Sequence, residues 1–224
     1  MGVLTPVLNL LFPPRCVFCR VFLHKNRTRV CSVCTETLPF CVGADALQTG
    51  APYSVCVSPL YYVDNVRDSH HRYKFQGASF YAETYASFVA ACVETHCSDR
   101  YDLISWVPLS RRRLRKRGYD QAKCLAQDTA KTLGTDAVAT LKKVKDTAAQ
   151  SGIGDKEKRQ ANISGAYQAL NGVPIAGKRI LLIDDVLTTG ATLTECAHCL
   201  LAAGAEEVLC ATLARAQEKD TQDV

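Results

Sequence analysis

Nowhere in the 224 residues is there an uninterrupted run of the ~20 apolar residues that a membrane-crossing helix takes. The N-terminal stretch MGVLTPVLNLLFPP is too short, is broken by Pro6 and has no basic segment ahead of its apolar one. It reads as a short amphipathic helix packed on the rest, not as a secretory signal. No internal repeat is visible, which excludes a repeat array. A nucleotide-binding P-loop is missing too. GVPIAGK, residues 172–178, matches the first part of G-x4-G-K-[ST], but Arg179 stands where a hydroxyl is needed for magnesium and Pro174 stiffens the run. The run also leads into a strand instead of out of one, so Asn171, Gly172 and Gly177 read as a turn. Charge of one sign is not in great excess either, with 27 Lys and Arg against 22 Asp and Glu. The net +5 is uneven, however, because RRRLRKRG at 111–118 gathers six cations, and such a cluster suits phosphates or nucleic acid.

Cysteine, by contrast, is plentiful, with 12 residues. A disulfide framework belongs to small secreted chains, whereas 224 residues with 47% hydrophobic side chains can build a core without staples. The expected compartment is the reducing cytoplasm. Four of the cysteines, Cys16, Cys19, Cys31 and Cys34, follow the spacing C-x2-C-x11-C-x2-C. Each pair turns two thiolates toward one tetrahedral ion at about 2.3 Å, and two such knuckles make a closed structural zinc site. Four unpaired core thiols would require no such spacing. The metal should hold together a segment too poor in apolar residues to fold alone, and losing Cys16 or Cys34 is expected to unfold that segment while sparing the remainder. His24 could compete as a ligand but is not needed. Cys196 and Cys199, flanking His198, and the remaining cysteines read as small packing residues. His70 and His71 have no carboxylate neighbour that suggests a triad.

Residues 1–42 are therefore expected to form an N-terminal helix and zinc-binding module, and residues 43–224 a separate α/β domain. Asp64 is a candidate cap for a helix over NVRDSHHRYKF, and ASFYAETYASFVAACVETH has apolar residues at helical spacing. DLISWVP is a short buried strand entering a basic loop, and DQAKCLAQDTAKTLG is a helix closed by Gly134. Residues 142–160 read as a loop. RILLID is a strand, GATLTECAHCLLAAG a helix and EEVLCATLA the last strand. Strands alternating with helices imply a mostly parallel sheet flanked by helices.

The stretch LLIDDVLTTGAT concentrates the chemistry. Asp184 and Asp185 could merely cap a turn, but that accounts for one carboxylate and not for a pair followed by TTGAT. A 5-phosphoribosyl group fits every position. Gly190 allows close backbone approach, and Thr188, Thr189 and Thr192 add hydroxyls around the amides of a helix N-terminus, which suits the phosphate. The carboxylates suit two vicinal ribose hydroxyls and a developing oxocarbenium ion.

LLIDDVLTTGAT resembles the ribosyl-phosphate signature of type I phosphoribosyltransferases, and the whole chain resembles the competence protein F family. The likeness runs from LLFPPRCVFC through YKFQG, VPLSRRRLRKRGYDQA, KDTAAQ and KRQANISGAY to TTGAT and TLAR. It implies a type I phosphoribosyltransferase-like fold behind a zinc-binding segment. It further implies that Asp184, Asp185, Thr188, Thr189, Gly190, Ala191 and Thr192 bind ribosyl phosphate, with the two Asp as catalytic residues. Leu109, Ser110 and Arg111 match the loop that meets pyrophosphate, and Arg111, Lys116 and Arg117 would neutralise that leaving group. Magnesium would accompany the diphosphate, and a loop around Gly152 and Gly154 would close over it. An acceptor would be recognised by residues between the zinc module and Lys74. Four positions depart from the family pattern: Asp120 replaces an asparagine, Lys143 and Lys145 replace arginines, and Trp106 replaces a small apolar residue.

The expected activity is transfer of ribosyl phosphate from 5-phosphoribosyl 1-diphosphate to an acceptor, with pyrophosphate release. The same cations support an alternative, a non-catalytic single-stranded DNA binder linked to DNA-uptake proteins, with Tyr61, Tyr62 and Tyr73 as stacking platforms.

Overall fold

The computed structural model describes residues 13–23, 29–146 and 164–217. The expected N-terminal helix, His24, the Gly152 and Gly154 loop and the end of the tail lie outside them. The described residues start with a tight hairpin, in which Arg15 bridges Phe22 around Cys16 and Cys19. Helix α1 (Ser32–Thr37) follows, and Cys31 caps it by accepting the Cys34 amide on its sulfur at 3.4 Å. After a 3-10 turn at Gly43–Ala46 come β1 (Leu47–Gly50), β2 (Tyr53–Val57) and β3 (Leu60–Tyr61). Two helices come next, α2 (Asp64–Phe75) and α3 (Tyr81–Cys97). Asp64 is the first residue of α2 and not its cap, a place taken by Val63. Then come β4 (Leu103–Trp106), α4 (Arg111–Arg117), α5 (Gln121–Thr132), β5 (Leu141–Lys143), β6 (Tyr167–Ala169), β7 (Arg179–Leu187), α6 (Ala191–Ala202) and β8 (Glu207–Arg215).

The main sheet runs β1-β2-β8-β7-β4, with β3 also on β8. All its pairs are parallel except β1 with β2. This is the mostly parallel sheet flanked by helices that the alternating pattern implies. Lys142 and Lys143, expected in a loop, instead belong to β5, which pairs antiparallel with β6. The basic run is a helix and not a loop: Ser110 accepts the Arg113 amide at its start, and Gly118, at φ +81°, ends it.

Successive strand residues face opposite sides of a sheet, and β7 uses both. Leu181 and Ile183 pack with α3, α5 and the Leu209 and Ala211 side of β8. Ile180 and Leu182 pack with α6, Tyr167 and the Cys210 side. The first of these two cores also takes in Cys16, Val17 and Phe18, with the Phe18 ring 5.9 Å from those of Tyr85 and Phe88 on α3. The zinc-binding hairpin therefore shares its core with the sheet. No helix among the described residues is long and apolar enough to cross a membrane.

Candidate functional site

The carboxyl ends of β7 and β4, helix α2, the basic helix α4 and the start of α6 surround a cleft of about 1030 Å³. A parallel sheet delivers ligand-binding side chains to this edge. β7 does not stop at Ile183 but continues to Leu187, through both carboxylates. Alternation then splits the pair. Asp184 falls on the α6 side and Asp185 on the side of α2. Each also accepts the amide that follows it, Asp185 N at 2.8 Å and Val186 N at 2.9 Å.

Their surroundings separate their acidities. Burial, and then the neighbouring charge of Asp185, pushes the Asp184 carboxyl well above its ordinary range. Burial opposes ionisation of Asp185 as well, but the Lys74 ammonium and then His70 outweigh it and hold that carboxyl well below its ordinary range. His70 donates from Nε2 to Asp185 Oδ2 at 2.9 Å, and Lys74 lies 3.5 Å from the same oxygen. Tyr62 OH is 3.1 Å from His70 Nδ1. The expectation that His70 lacks a carboxylate neighbour is thus corrected: Asp185 is that neighbour, 115 residues away. The spacing of His70 and Lys74, four residues apart on a helix, was the available signal, since it sets both on one face.

Thr188, Thr189, Gly190, Ala191 and Thr192 lie along the cleft at the start of α6. Gly190 is the cap residue, at φ +75°, and offers no capping side chain, so the start of this helix suits an anion. A Cβ on Gly190 would sit 3.1 Å from Tyr53 OH, so both backbone conformation and space call for glycine.

Facing them, Leu109, Lys116 and Arg117 line the cleft together with Arg112 and Arg113. Ser110 and Arg111 do not. The Ser110 hydroxyl is buried as the cap of α4, and Arg111 stands exposed at the start of that helix. Arg112 and Arg113 were not singled out in sequence because nothing marks which sides of a six-cation run face inward. Arg117 donates to Gln121 at 2.8 Å and lies 5.2 Å from the centre of the Phe75 ring. Asp120, which departs from the family asparagine, accepts the Leu109 amide at 2.9 Å on one oxygen and caps α5 through Lys123 N at 3.1 Å on the other. Lys143 donates to Tyr167 OH at 3.0 Å in the cleft, and burial, followed by Arg113, lowers its pKa to about 8. Trp106 is half-buried at the end of β4, with the Lys123 ammonium 5.8 Å from its ring centre.

Of the proposed stacking platforms, Tyr73 is corrected. It is fully buried between Tyr85 and Tyr119, with its hydroxyl bonded to Gln121 O, because its position on α2 turns it into the core.

The four sulfurs of Cys16, Cys19, Cys31 and Cys34 lie within 4.8 Å of one another. A tetrahedron of sulfurs about 2.3 Å from a central ion has edges of about 3.8 Å. The 3.6 Å from Cys19 to Cys31 is close to that, and Cys16 accepts the Cys31 amide at 3.5 Å. Burial would raise the Cys16 thiol, but amides led by that of Cys19 bring it down to about 7. The donor set fits one structural zinc. Among the described residues it is the one group of this kind.

Comparison with known proteins agrees with both parts. Residues 122–223 match the phosphoribosyl transferase domain, and residues 7–54 match the double zinc ribbon domain. Competence protein F of Haemophilus influenzae is 30% identical, over 90% of this chain and 97% of that protein. A DNA utilization protein of Escherichia coli is 30% identical, over 91% of this chain and all of that protein. A hypoxanthine-guanine phosphoribosyltransferase structure from Bacillus anthracis is more distant, with 14% identity, a TM-score of 0.41, and coverage of 65% of this chain and 75% of that one.

Proposed function

The chain belongs to the competence protein F family, and from that premise we propose that it binds 5-phosphoribosyl 1-diphosphate and transfers its ribosyl phosphate to an acceptor, releasing pyrophosphate. The observation that carries this reading is the juxtaposition, across one cleft, of Asp184 and Asp185, the glycine-led start of α6 and a basic helix. No enzyme nucleophile is called for, because cleavage at the anomeric carbon is assisted by charge placed against each separating fragment. Asp185 carries the negative charge on the sugar side. Asp184, whose ionisation burial and the Asp185 charge oppose, offers hydrogen-bonding oxygens. The amides of α6 and the TTGAT hydroxyls hold the 5-phosphate. Arg113, Lys116 and Arg117 face the diphosphate.

Magnesium takes hard oxygen ligands and fits an edge bearing two carboxylates; bound with the substrate, it would offset charge on the diphosphate. Acceptor recognition belongs to the α2 side, where His71 and Phe75 form an exposed aromatic pair with ring centres 4.9 Å apart.

Calorimetry with 5-phosphoribosyl 1-diphosphate and magnesium tests the proposal. Binding that is tighter than that of ribose 5-phosphate supports it, and equal or absent binding of both removes it.

A second reading, single-stranded DNA binding, draws support from exposed aromatics paired with arginine. Arg117 lies against Phe75, Arg29 4.8 Å from the Phe80 ring and Arg15 4.0 Å from the Phe22 ring. Such pairs suit stacked bases. A steep fall of log affinity with log salt is its expected mark.

A further inference from the structure

Helix α2 is fastened at both sides. On one, Ser69 Oγ donates to Val17 O at 2.5 Å, and Arg72 Nη2 donates to Val17 O and Phe18 O at 3.0 and 2.6 Å. Val17 and Phe18 are the two residues between Cys16 and Cys19, so these carbonyls belong to the first zinc knuckle. Among the described residues Arg72 Nε is buried with no partner, which leaves the knuckle carbonyls to answer the guanidinium. On the other side, His70 and Lys74 meet Asp185 Oδ2. Residues 69 and 72 are three apart and 70 and 74 four apart, so each pair shares a face of the helix. Tyr73, wholly buried and bonded to Gln121 O, opposes rotation between those faces.

We infer that Ser69 and Arg72 are positioning residues for the ribosyl-phosphate site: by fixing helix α2 to the first zinc knuckle, they hold His70 and Lys74 on Asp185. The inference rests on the proposed ribosyl-phosphate reading for its consequence in binding, but the linkage itself does not. Neither Ser69 nor Arg72 lines the cleft. Their influence runs through the helix to the carboxylate that His70 and Lys74 contact. A zinc knuckle placed this way does more than close the N-terminal segment. It sets the geometry of a site on the far side of α2.

Arg72→Met keeps side-chain bulk and removes the donors. In the zinc-loaded protein this variant should retain its metal content but bind ribose 5-phosphate roughly tenfold more weakly, a size typical of coupling through intermediate residues. The His70 imidazole nitrogens, followed by NMR, should also lose the pattern of an Nε2–H donated to a carboxylate. Arg100→Ala, which breaks an exposed pair with Glu207 at 2.8 Å, is the control for general destabilisation and should alter neither readout. If Arg72→Met lowers the melting temperature yet leaves affinity and the His70 pattern as in the parent protein, the role of Arg72 is only structural and the inference is wrong. If the His70 pattern changes but the parent protein binds no ribose 5-phosphate, the linkage stands and the functional reading fails. Should Arg72→Met not fold, Ser69→Ala decides by the same two measurements.

Discussion

At the scale of single residues, the division of labour between Asp184 and Asp185 follows from a strand that continues through both. Asp185→Asn removes the negative charge on the sugar side and should lower pyrophosphate release by roughly a hundredfold or more, since a lost electrostatic contact of this kind is worth ~3 to 4 kcal/mol. Asp184→Asn alters a carboxyl whose ionisation burial and the Asp185 charge already oppose, so a smaller loss, below about tenfold or ~1.4 kcal/mol, is expected. Rates for the two variants, measured with one acceptor, check this; equal losses would contradict the assignment of charge to Asp185. Lys143 supplies a pH test. Its pKa of about 8 lies below the ordinary lysine value of 10.5, so part of the population is neutral at pH 8.5. A diphosphate beside it favours the charged form and raises that pKa. Binding should therefore take up a proton between about pH 8 and 10.5, and none once Lys143→Met is made. Calorimetry in two buffers of different ionisation enthalpy measures the uptake directly.

At the scale of elements, the basic helix is the informative one. Its cap at Ser110 and its end at Gly118 fix its rotation, so the cations divide into those that line the cleft and those that do not. Arg113→Ala and Lys116→Ala should each weaken the diphosphate ligand, by about 1.5 to 3 kcal/mol for a charge-assisted hydrogen bond, with little change for ribose 5-phosphate. Arg111→Ala should change both by less than about 0.5 kcal/mol. If Arg111→Ala weakens the diphosphate as much as Arg113→Ala, α4 binds its ligand in a different rotation, with Arg111 turned into the cleft. Arg113→Ala also tests Lys143 indirectly, because Arg113 is one of the charges depressing its pKa.

At the scale of the molecule, the zinc-binding hairpin and the sheet share one core. The expectation that loss of a ligand cysteine spares the sheet therefore changes. Freeing Phe18 from Tyr85 and Phe88 resembles a large core truncation, about 3 to 5 kcal/mol. For a chain of this size that corresponds to a fall in melting temperature of roughly 10 °C. Thermal scans of Cys34→Ser, or of the parent protein with a chelator, should show the sheet melting earlier. An unchanged sheet transition would mean that the hairpin is energetically separate.

Much of this was legible in the sequence, where the governing rule is local. The C-x2-C pairs announce a tetrahedral ion because the spacing alone can turn two sulfurs inward, and TTGAT after an apolar run announces a helix start suited to phosphate. The alternation of strands and helices implied the parallel sheet. Three features depended on packing. Whether β7 ends before or after its carboxylates is settled by pairing with β8, where Asp184 meets Thr212 and Leu187 meets Arg215. Which arginines of α4 face inward depends on how that helix is seated, and Tyr73 is buried because α2 lies against α3 and α5. The pairing of His70 with Asp185 joins positions 115 apart in sequence. Periodicity and capping act within a few residues, so they define elements and their chemistry. Contacts between distant elements are chosen by how those elements bury their faces together, and in this protein that choice decided which carboxylate receives the cations of α2.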